Sequence, residues 1–303
     1  MRIGIDLGGT KTEILVIDQH GAEIYRKRIP TERDSYDALL TRLIDLIRET
    51  EAHVKAPCTI GIGIPGTVDT KRQVVKNANL TMLNGHPLAN DISTALQRPV
   101  RISNDANCFA LSEASDGAGA GAAVVFGVIV GTGCGAGIIV NGSPLEGLNG
   151  LAGEWGHNRL NDTRADETPG PDCYCGQKGC VETWISGTGF EKAYERLSGQ
   201  RLSGPEILSL SEQGDAIAEQ ALQDLENRMA RALSQIINIL DPDVIVLGGG
   251  LSNIDRLYDN VPKLWDQWTF SDVPVATSLK KNMHGDSSGV RGAAWLWPKG
   301  GAQ

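Results

Sequence analysis

Ile3-Gly4-Ile5-Asp6-Leu7-Gly8-Gly9-Thr10-Lys11-Thr12-Glu13-Ile14-Leu15-Val16-Ile17 is the stretch that decides the fold. Ile3, Ile5 and Leu7 alternate with smaller or polar residues, and Ile14 to Ile17 form a second apolar run. The pattern predicts two strands, 2–7 and 13–17, joined by a glycine-rich turn with a carboxylate, Asp6, at the end of the first. A second unit of the same shape follows. Val124 to Val130 is apolar, Gly131-Thr132-Gly133-Cys134-Gly135 makes the turn, and Ile138-Ile139-Val140 returns. The match is short and hints at an internal duplication.

These turns have the chemistry of a phosphate cradle. Gly8, Gly9, Gly131 and Gly133 let backbone N–H groups approach phosphate oxygens with no side chain in the way. Thr10 and Thr132 add hydroxyl donors, Lys11 adds a positive charge, and Asp6 can hold Mg²⁺, through water. Gly248-Gly249-Gly250 closes a third strand, Val244 to Leu247. The plainer explanation is hairpin turns that need positive φ. The Walker A pattern is absent. Gly131, Gly133 and Ala136 loosely meet the dinucleotide fingerprint, but that motif opens a helix, whereas here a strand continues.

Working outward, apolar residues at Leu39, Leu40, Leu43, Ile44, Leu46 and Ile47 predict a helix over 36–52. Residues 59–64 alternate in period two and end at Pro65-Gly66. Residues 100–102 read as a short strand and 106–115 as a helix. The polar stretch 158–172, with Pro169-Gly170-Pro171, reads as an exposed excursion. Residues 215–240 form the longest helix candidate, stopped by Asp241-Pro242-Asp243, and a last helix runs from about Gly289 to Trp297. Strand-rich openings followed by helices, twice over, predict an α/β protein with two lobes.

His157, Cys173, Cys175 and Cys180 make the sharpest constellation. Three thiolates and one imidazole form a closed tetrahedral zinc site, which has a structural role. Free or oxidised thiols are the alternative. Cys58, Cys108 and Cys134 sit in apolar or small-residue surroundings and read as buried. Glu154 and Glu182 flank the cluster, and with the second ring nitrogen of His157 they can read the hydroxyls of a polyol. Ser103-Asn104-Asp105-Ala106-Asn107 lies where a strand gives way to a helix. An N-cap is the plain interpretation. A helix start also keeps Asp105 ionised, ready to orient a substrate hydroxyl and take its proton.

Composition narrows the classes. The 303 residues fit about two domains. The net charge of −9 disfavours a nucleic-acid partner. No apolar run is long enough to span a membrane, and no signal peptide is evident. Six cysteines without an export signal point to reduced thiols or metal.

In all these motifs, and in their order, the chain resembles the ROK family of sugar kinases and repressors within the actin-like ATPase superfamily. The resemblance covers essentially the whole chain. It rests on Asp6 to Lys11, Gly63-Ile64-Pro65-Gly66, Asn104-Asp105, Gly131-Thr132-Gly133, Glu154-Trp155-Gly156-His157, Cys-x-Cys-Gly-x-x-Gly-Cys-x-Glu at 173–182 and Gly248 to Gly250. It implies a two-lobed, ribonuclease H-like fold with a zinc-stabilised loop region. One lobe would span 1–117, completed by the last helix at about 289–303, and the other 118–288. ATP and Mg²⁺ would lie between the lobes, with Asp105 as base. Asp6, Gly8, Gly9, Thr10, Lys11, Gly131, Thr132, Gly133, Gly135, Gly249 and Gly250 would serve the nucleotide. Gly66, Asn79, Asn104, Asp105, Glu154, His157 and Glu182 would contact the sugar, and His157, Cys173, Cys175 and Cys180 would hold zinc. A cytoplasmic homodimer acting on a hexose is implied.

Within the family the chain resembles bacterial fructokinases that also accept mannose. The expected product is fructose 6-phosphate, with glucokinase or N-acetylglucosamine kinase as the alternative. Two other readings are set aside. Repressors of this kind carry a helix-turn-helix domain ahead of the core, whereas here the first phosphate-loop strand starts at Ile3. A non-catalytic sugar sensor is disfavoured by Asp105 and both glycine turns.

Overall fold

The computed structural model describes residues 1–298. The part of the expected last segment at 299–303 lies outside the described residues. In chain order the elements are β1 (Arg2–Leu7), β2 (Lys11–Ile17), β3 (Glu23–Pro30), α1 (Tyr36–Val54), β4 (Thr59–Ile64), β5 (Thr67–Asp69), β6 (Val74–Lys76), α2 (Leu88–Leu96), β7 (Val100–Asn104) and α3 (Asp105–Asp116). There follow β8 (Val124–Val130), β9 (Cys134–Val140), β10 (Ser143–Pro144), α4 (Glu182–Ile185), α5 (Gly187–Ser198), α6 (Gly204–Glu212), α7 (Ala216–Leu240), β11 (Val244–Gly248), α8 (Arg256–Leu264), β12 (Ser278–Lys281) and α9 (Ser288–Trp295). The chain divides into two compact units. The first comprises 1–121, 137–152 and the segment from 286; the second comprises 122–136 and 153–285.

The first sheet runs β3-β2-β1-β4-β7. β1 is antiparallel to β2 and parallel to β4, which is parallel to β7. Its central strands alternate isoleucine with glycine for a packing reason. Ile3, Ile5, Ile60, Ile62 and Ile64 join Leu39, Leu43, Leu46 and Ile47 of α1 in one core. On the other face Gly4 and Gly61 admit α9: a Cβ on Gly4 would overlap the carbonyl of Val290, and one on Gly61 that of Ala293. Period two therefore reports two different partners on the two faces. Gly292 lets α9 lie against α3, where a Cβ would overlap the Cys108 carbonyl. Beyond α9 the Trp297 indole donates to the Ile60 carbonyl at 2.7 Å, and Arg101 donates to Leu296 O at 2.7 Å.

The second sheet runs β10-β9-β8-β11-β12, with β11 parallel to both β8 and β12. Its order repeats that of the first, β8, β9, β10, β11 and β12 standing where β1, β2, β3, β4 and β7 stand. In the second unit α7 is capped by Asp215, whose carboxylate accepts the Ala218 N–H at 2.8 Å.

The stretch 158–172 corrects the sequence reading, because part of it is core. Leu160 is buried, and Glu167 lies between two buried arginines of α7, with Arg228 Nε and Arg231 Nη2 each 2.8 Å from its Oε1. Burial alone would raise the Glu167 pKa. Hydrogen bonds from Arg231, the Arg164 backbone and Arg228 outweigh that and hold it at about 2.

Candidate active site

In the first unit β1 ends at Asp6 and the chain turns through Gly8-Gly9-Thr10 into β2. The turn is closed by the Gly8 N–H to the Lys11 carbonyl at 3.0 Å and braced by the Thr31 hydroxyl, which donates to Gly8 O at 2.7 Å. Gly9, Thr10 and Lys11 are exposed. Neither Gly8 nor Gly9 has positive φ, and a Cβ on Gly9 would meet nothing. Neither a positive φ nor packing asks for glycine at position 9.

Beside this turn stand the end of β7 and the start of α3. Asn104, not Asp105, is the N-cap: its Oδ1 accepts the Ala106 N–H at 2.9 Å and its Nδ2 donates to the Gly66 carbonyl at 3.0 Å. Asp105 Oδ1 accepts the same Ala106 N–H at 2.8 Å, and the residue is exposed at the head of the helix. The Gly66 loop is held close to the segment before Asn79. A Cβ at Gly66 would lie 2.7 Å from Ala78 Cα, and the Asn79 N–H donates to Pro65 O at 3.0 Å. Asn84 grips the backbone N–H and carbonyl of Ala78, at 2.9 and 3.2 Å. Gly66, Asn79, Asn104 and Asp105 thus belong to one corner. Burial, followed by the nearby charges of Asp105 and Glu13, pushes the Asp6 carboxyl up to about 6, against the pull of Arg28. A corner so rich in carboxylate favours a cation, which fits a divalent metal ion bound with phosphate.

In the second unit the turn after β8 is built the same way. Gly131 and Gly133 lack positive φ, and a Cβ on Gly131 or Gly250 would meet nothing. Gly249 is different. Its φ is 79°, and a Cβ would lie 2.7 Å from the carbonyl of Val130. The triple glycine therefore packs under the turn at Gly249 and leaves open space at Gly250. Thr132 is exposed, and Gly135 is the second residue of β9.

Next to them is a cleft of about 580 Å³, lined by Gly131, Thr132, Gly187, Thr188, Glu191, Pro205, Leu208, Gly250, Leu251, Asn253 and Ile254 among others. The first turns of α5 and α6 contribute to it, so the positive ends of two helix dipoles lie beside it, while the Gly187 and Gly204 N–H groups are taken by Gly131 O at 2.7 Å and Glu191 Oε1 at 3.0 Å. Its apolar wall of Pro205, Leu208, Leu251 and Ile254 suits a flat aromatic base. Except for the glycine turns, this wall was not foreseen. It is assembled from short segments scattered over 187–254 that meet only in the fold.

The cysteine cluster also belongs to the second unit. The donor atoms of His157, Cys173, Cys175 and Cys180 lie within 4.8 Å of one another. Cys175 and Cys180 sulfurs are 3.6 Å apart, and Cys173 Sγ is 3.6 Å from His157 Nδ1. Tetrahedral zinc with sulfur at about 2.3 Å would set two sulfurs roughly 3.8 Å apart, so the donor set fits. Burial, with the neighbouring Cys175 and Cys173 thiols, pushes the Cys180 thiol up to about 12. Crowded thiols of this kind ionise readily only with a cation among them. The Val181 N–H donates to Asn158 O at 2.8 Å and joins the two ligand segments, and Gly176 and Gly179 turn the chain with φ of 86° and 70°. His157 Nε2, expected to face a sugar, is 3.0 Å from the Tyr174 hydroxyl. Glu154 is exposed in the short 3₁₀ turn that carries His157, while Glu182 Oε2 accepts the Cys134 N–H at 2.8 Å.

Among the described residues no helix is long and apolar enough to cross a membrane. The sequence matches the family profile described as "ROK family" over residues 2–300, and the chain belongs to that family. It is 43% identical over 302 residues to the N-acetyl-D-glucosamine kinase of Pectobacterium atrosepticum, covering 98% of each chain. Its structure is similar to the ROK hexokinase from Thermus thermophilus (TM-score 0.85, 27% identity, 97% of both chains). It is also similar to a ROK family glucokinase from Streptomyces griseus in complex with glucose and AMPPNP (TM-score 0.74, 27% identity, 97% of this chain and 98% of that one). The expectation of fructose finds no support in these relatives. The alternative, an N-acetylglucosamine kinase, fits them better. Val75 to Asn79 and Leu83-Asn84-Gly85, two of the stretches behind the fructokinase resemblance, build part of β6 and the clamp of Asn84 on Ala78.

Proposed function

We propose that the protein transfers the γ-phosphoryl group of ATP to a hydroxyl of N-acetyl-D-glucosamine, the primary hydroxyl at carbon 6. The observation that carries the reading is Asp105, an exposed carboxylate at the head of α3, next to the N-cap Asn104 and with Asp6 nearby. Asp105 orients the acceptor hydroxyl and takes its proton. The hydroxyl oxygen forms a bond to the γ-phosphorus, the bond from that phosphorus to the β,γ-bridging oxygen breaks, and ADP leaves. Such transfer is mostly positioning and charge stabilisation, so an unexceptional carboxylate suffices as base. The acceptor assignment is supported by relatives at 40–43% identity over nearly the whole chain, which are N-acetyl-D-glucosamine kinases.

Gly66, Asn79, Asn104, Glu154, His157 and Glu182 are assigned to the sugar. The glycine turns with Thr10, Lys11 and Thr132 serve the phosphates, and the cleft beside Gly131 takes the base. Asp6 would hold Mg²⁺, which neutralises phosphate charge when bound. His157, Cys173, Cys175 and Cys180 would hold zinc, which fixes the loop that carries Glu154 and Glu182. The test is ADP release from ATP and Mg²⁺ with N-acetylglucosamine, glucose, mannose and fructose in parallel. Preference for N-acetylglucosamine is the expected result. Preference for another hexose would keep the kinase and remove the acceptor assignment, and no turnover with any of them would remove the kinase reading.

A further inference from the structure

Glu182 faces the phosphate turn. Its Oε2 accepts the backbone N–H of Cys134 at 2.8 Å, and a Cβ on Gly133 would lie 2.7 Å from that same oxygen. Gly133 has no positive φ, so what a side chain there would meet is this carboxylate, which would have to swing away from the Cys134 N–H to make room. The other end of the turn is held by the same short segment. The Gly187 N–H donates to the Gly131 carbonyl at 2.7 Å, and a Cβ on Gly187 would lie 3.0 Å from that oxygen. Residues 182–187, with α4 between, therefore grip the turn at both ends. The grip is anchored two residues upstream, where the Thr183 hydroxyl and N–H both donate to the Cys180 carbonyl, at 2.7 and 2.9 Å.

We propose that Glu182 is a positioning residue for the nucleotide: by holding the Cys134 N–H it keeps the turn at 131–135 in the shape that receives the phosphates of ATP. The family resemblance gives Glu182 only to the sugar. The inference rests on the reading of this turn as a phosphate cradle. A hydrogen bond to a charged acceptor is strong, and its loss leaves a half-buried N–H without its partner, so the turn relaxes.

The test is the binding of ADP by calorimetry to the intact protein with no sugar present, alongside sugar binding with no nucleotide. Glu182→Ala should weaken ADP about tenfold or more. Glu182→Gln, which keeps an oxygen for the Cys134 N–H, should stay within about threefold of the wild type while sugar binding falls, a split that a general loss of structure would not produce. Gly133→Ala should weaken ADP by itself and should cost much less in the Glu182→Ala background, because the clashing oxygen is then gone. If Glu182→Ala does not fold, the Gly133→Ala and Glu182→Gln measurements still decide. Wild-type ADP affinity in Gly133→Ala or in a folded Glu182→Ala would overturn the proposal while leaving the cradle. A wild-type protein that does not bind ADP would remove the cradle and the proposal together.

Discussion

Asp105 and Asp6 meet the same corner with different chemistry. Asp105 is exposed and its helix is already capped by Asn104, so Asp105→Asn should leave the fold and ADP binding intact. Turnover should fall roughly 10²- to 10⁴-fold, the usual contribution of a general base. Circular dichroism and a kcat measurement on the same sample check both halves. Asp6 is the pH-sensitive member. Its carboxyl is raised from 3.8 to about 6, so any stability it contributes is full below pH 3.8 and lost as pH rises through 6. Ionised above that, it welcomes a cation, and below it proton and ion compete. The Mg²⁺ concentration for half-maximal turnover should therefore be clearly higher at pH 5.5 than at pH 7.5. Equal values at the two pH values would remove Asp6 as a metal partner.

At the scale of elements, two devices fix the loop after β10. One is the cysteine cluster. Freshly purified protein should hold one zinc per chain, a chelator should lower its melting temperature, and zinc affinity should fall with pH because the thiols must shed protons. The other is Glu167 against α7. Its pKa is depressed, so its contribution to stability is present above the ordinary carboxylate value of 4.5 and lost as pH falls towards 2. Glu167→Gln leaves Arg231 buried without its counter-charge and Arg228 with Asp224 alone, at 3.7 Å, and should cost about 3–5 kcal/mol in urea unfolding at pH 7. This second device was invisible in the sequence, because a charged residue in a polar, proline-containing stretch looks solvated until its distant partners are known. The same limit hid β3, an edge strand whose Arg26 and Arg28 both reach Glu13 on β2. Its apolar alternation is interrupted by charge. By contrast, α1, α7 and the strands flanking both glycine turns were legible, since each buries one face and so repeats with its own period. The two glycine turns were legible too, but the cleft wall was not, because its residues are neighbours only after folding.

On the scale of the whole molecule, two sheets share one strand order, and each sends a glycine turn from its first strand to its second. The short likeness between residues 5–10 and 129–133 is the part of that correspondence which survives in sequence. Glycine serves the two sheets differently. In the first, Gly4, Gly61 and Gly292 admit α9 so closely that a single methyl group has no room. Gly292→Ala should lower the melting temperature or prevent soluble folding altogether, since overpacking against backbone cannot be relieved by a side-chain turn.

The place of α9 also bears on the order of synthesis. The strands it covers, β1 and β4, leave the ribosome long before α9 and the Trp297 that donates to Ile60. Until then one face of the leading sheet has no cover, and more than two hundred residues must be made in between. The first unit should therefore mature only after α9 has been made. A nascent chain halted at about residue 285 should bind chaperones or aggregate, even though every strand of its leading sheet has already been made.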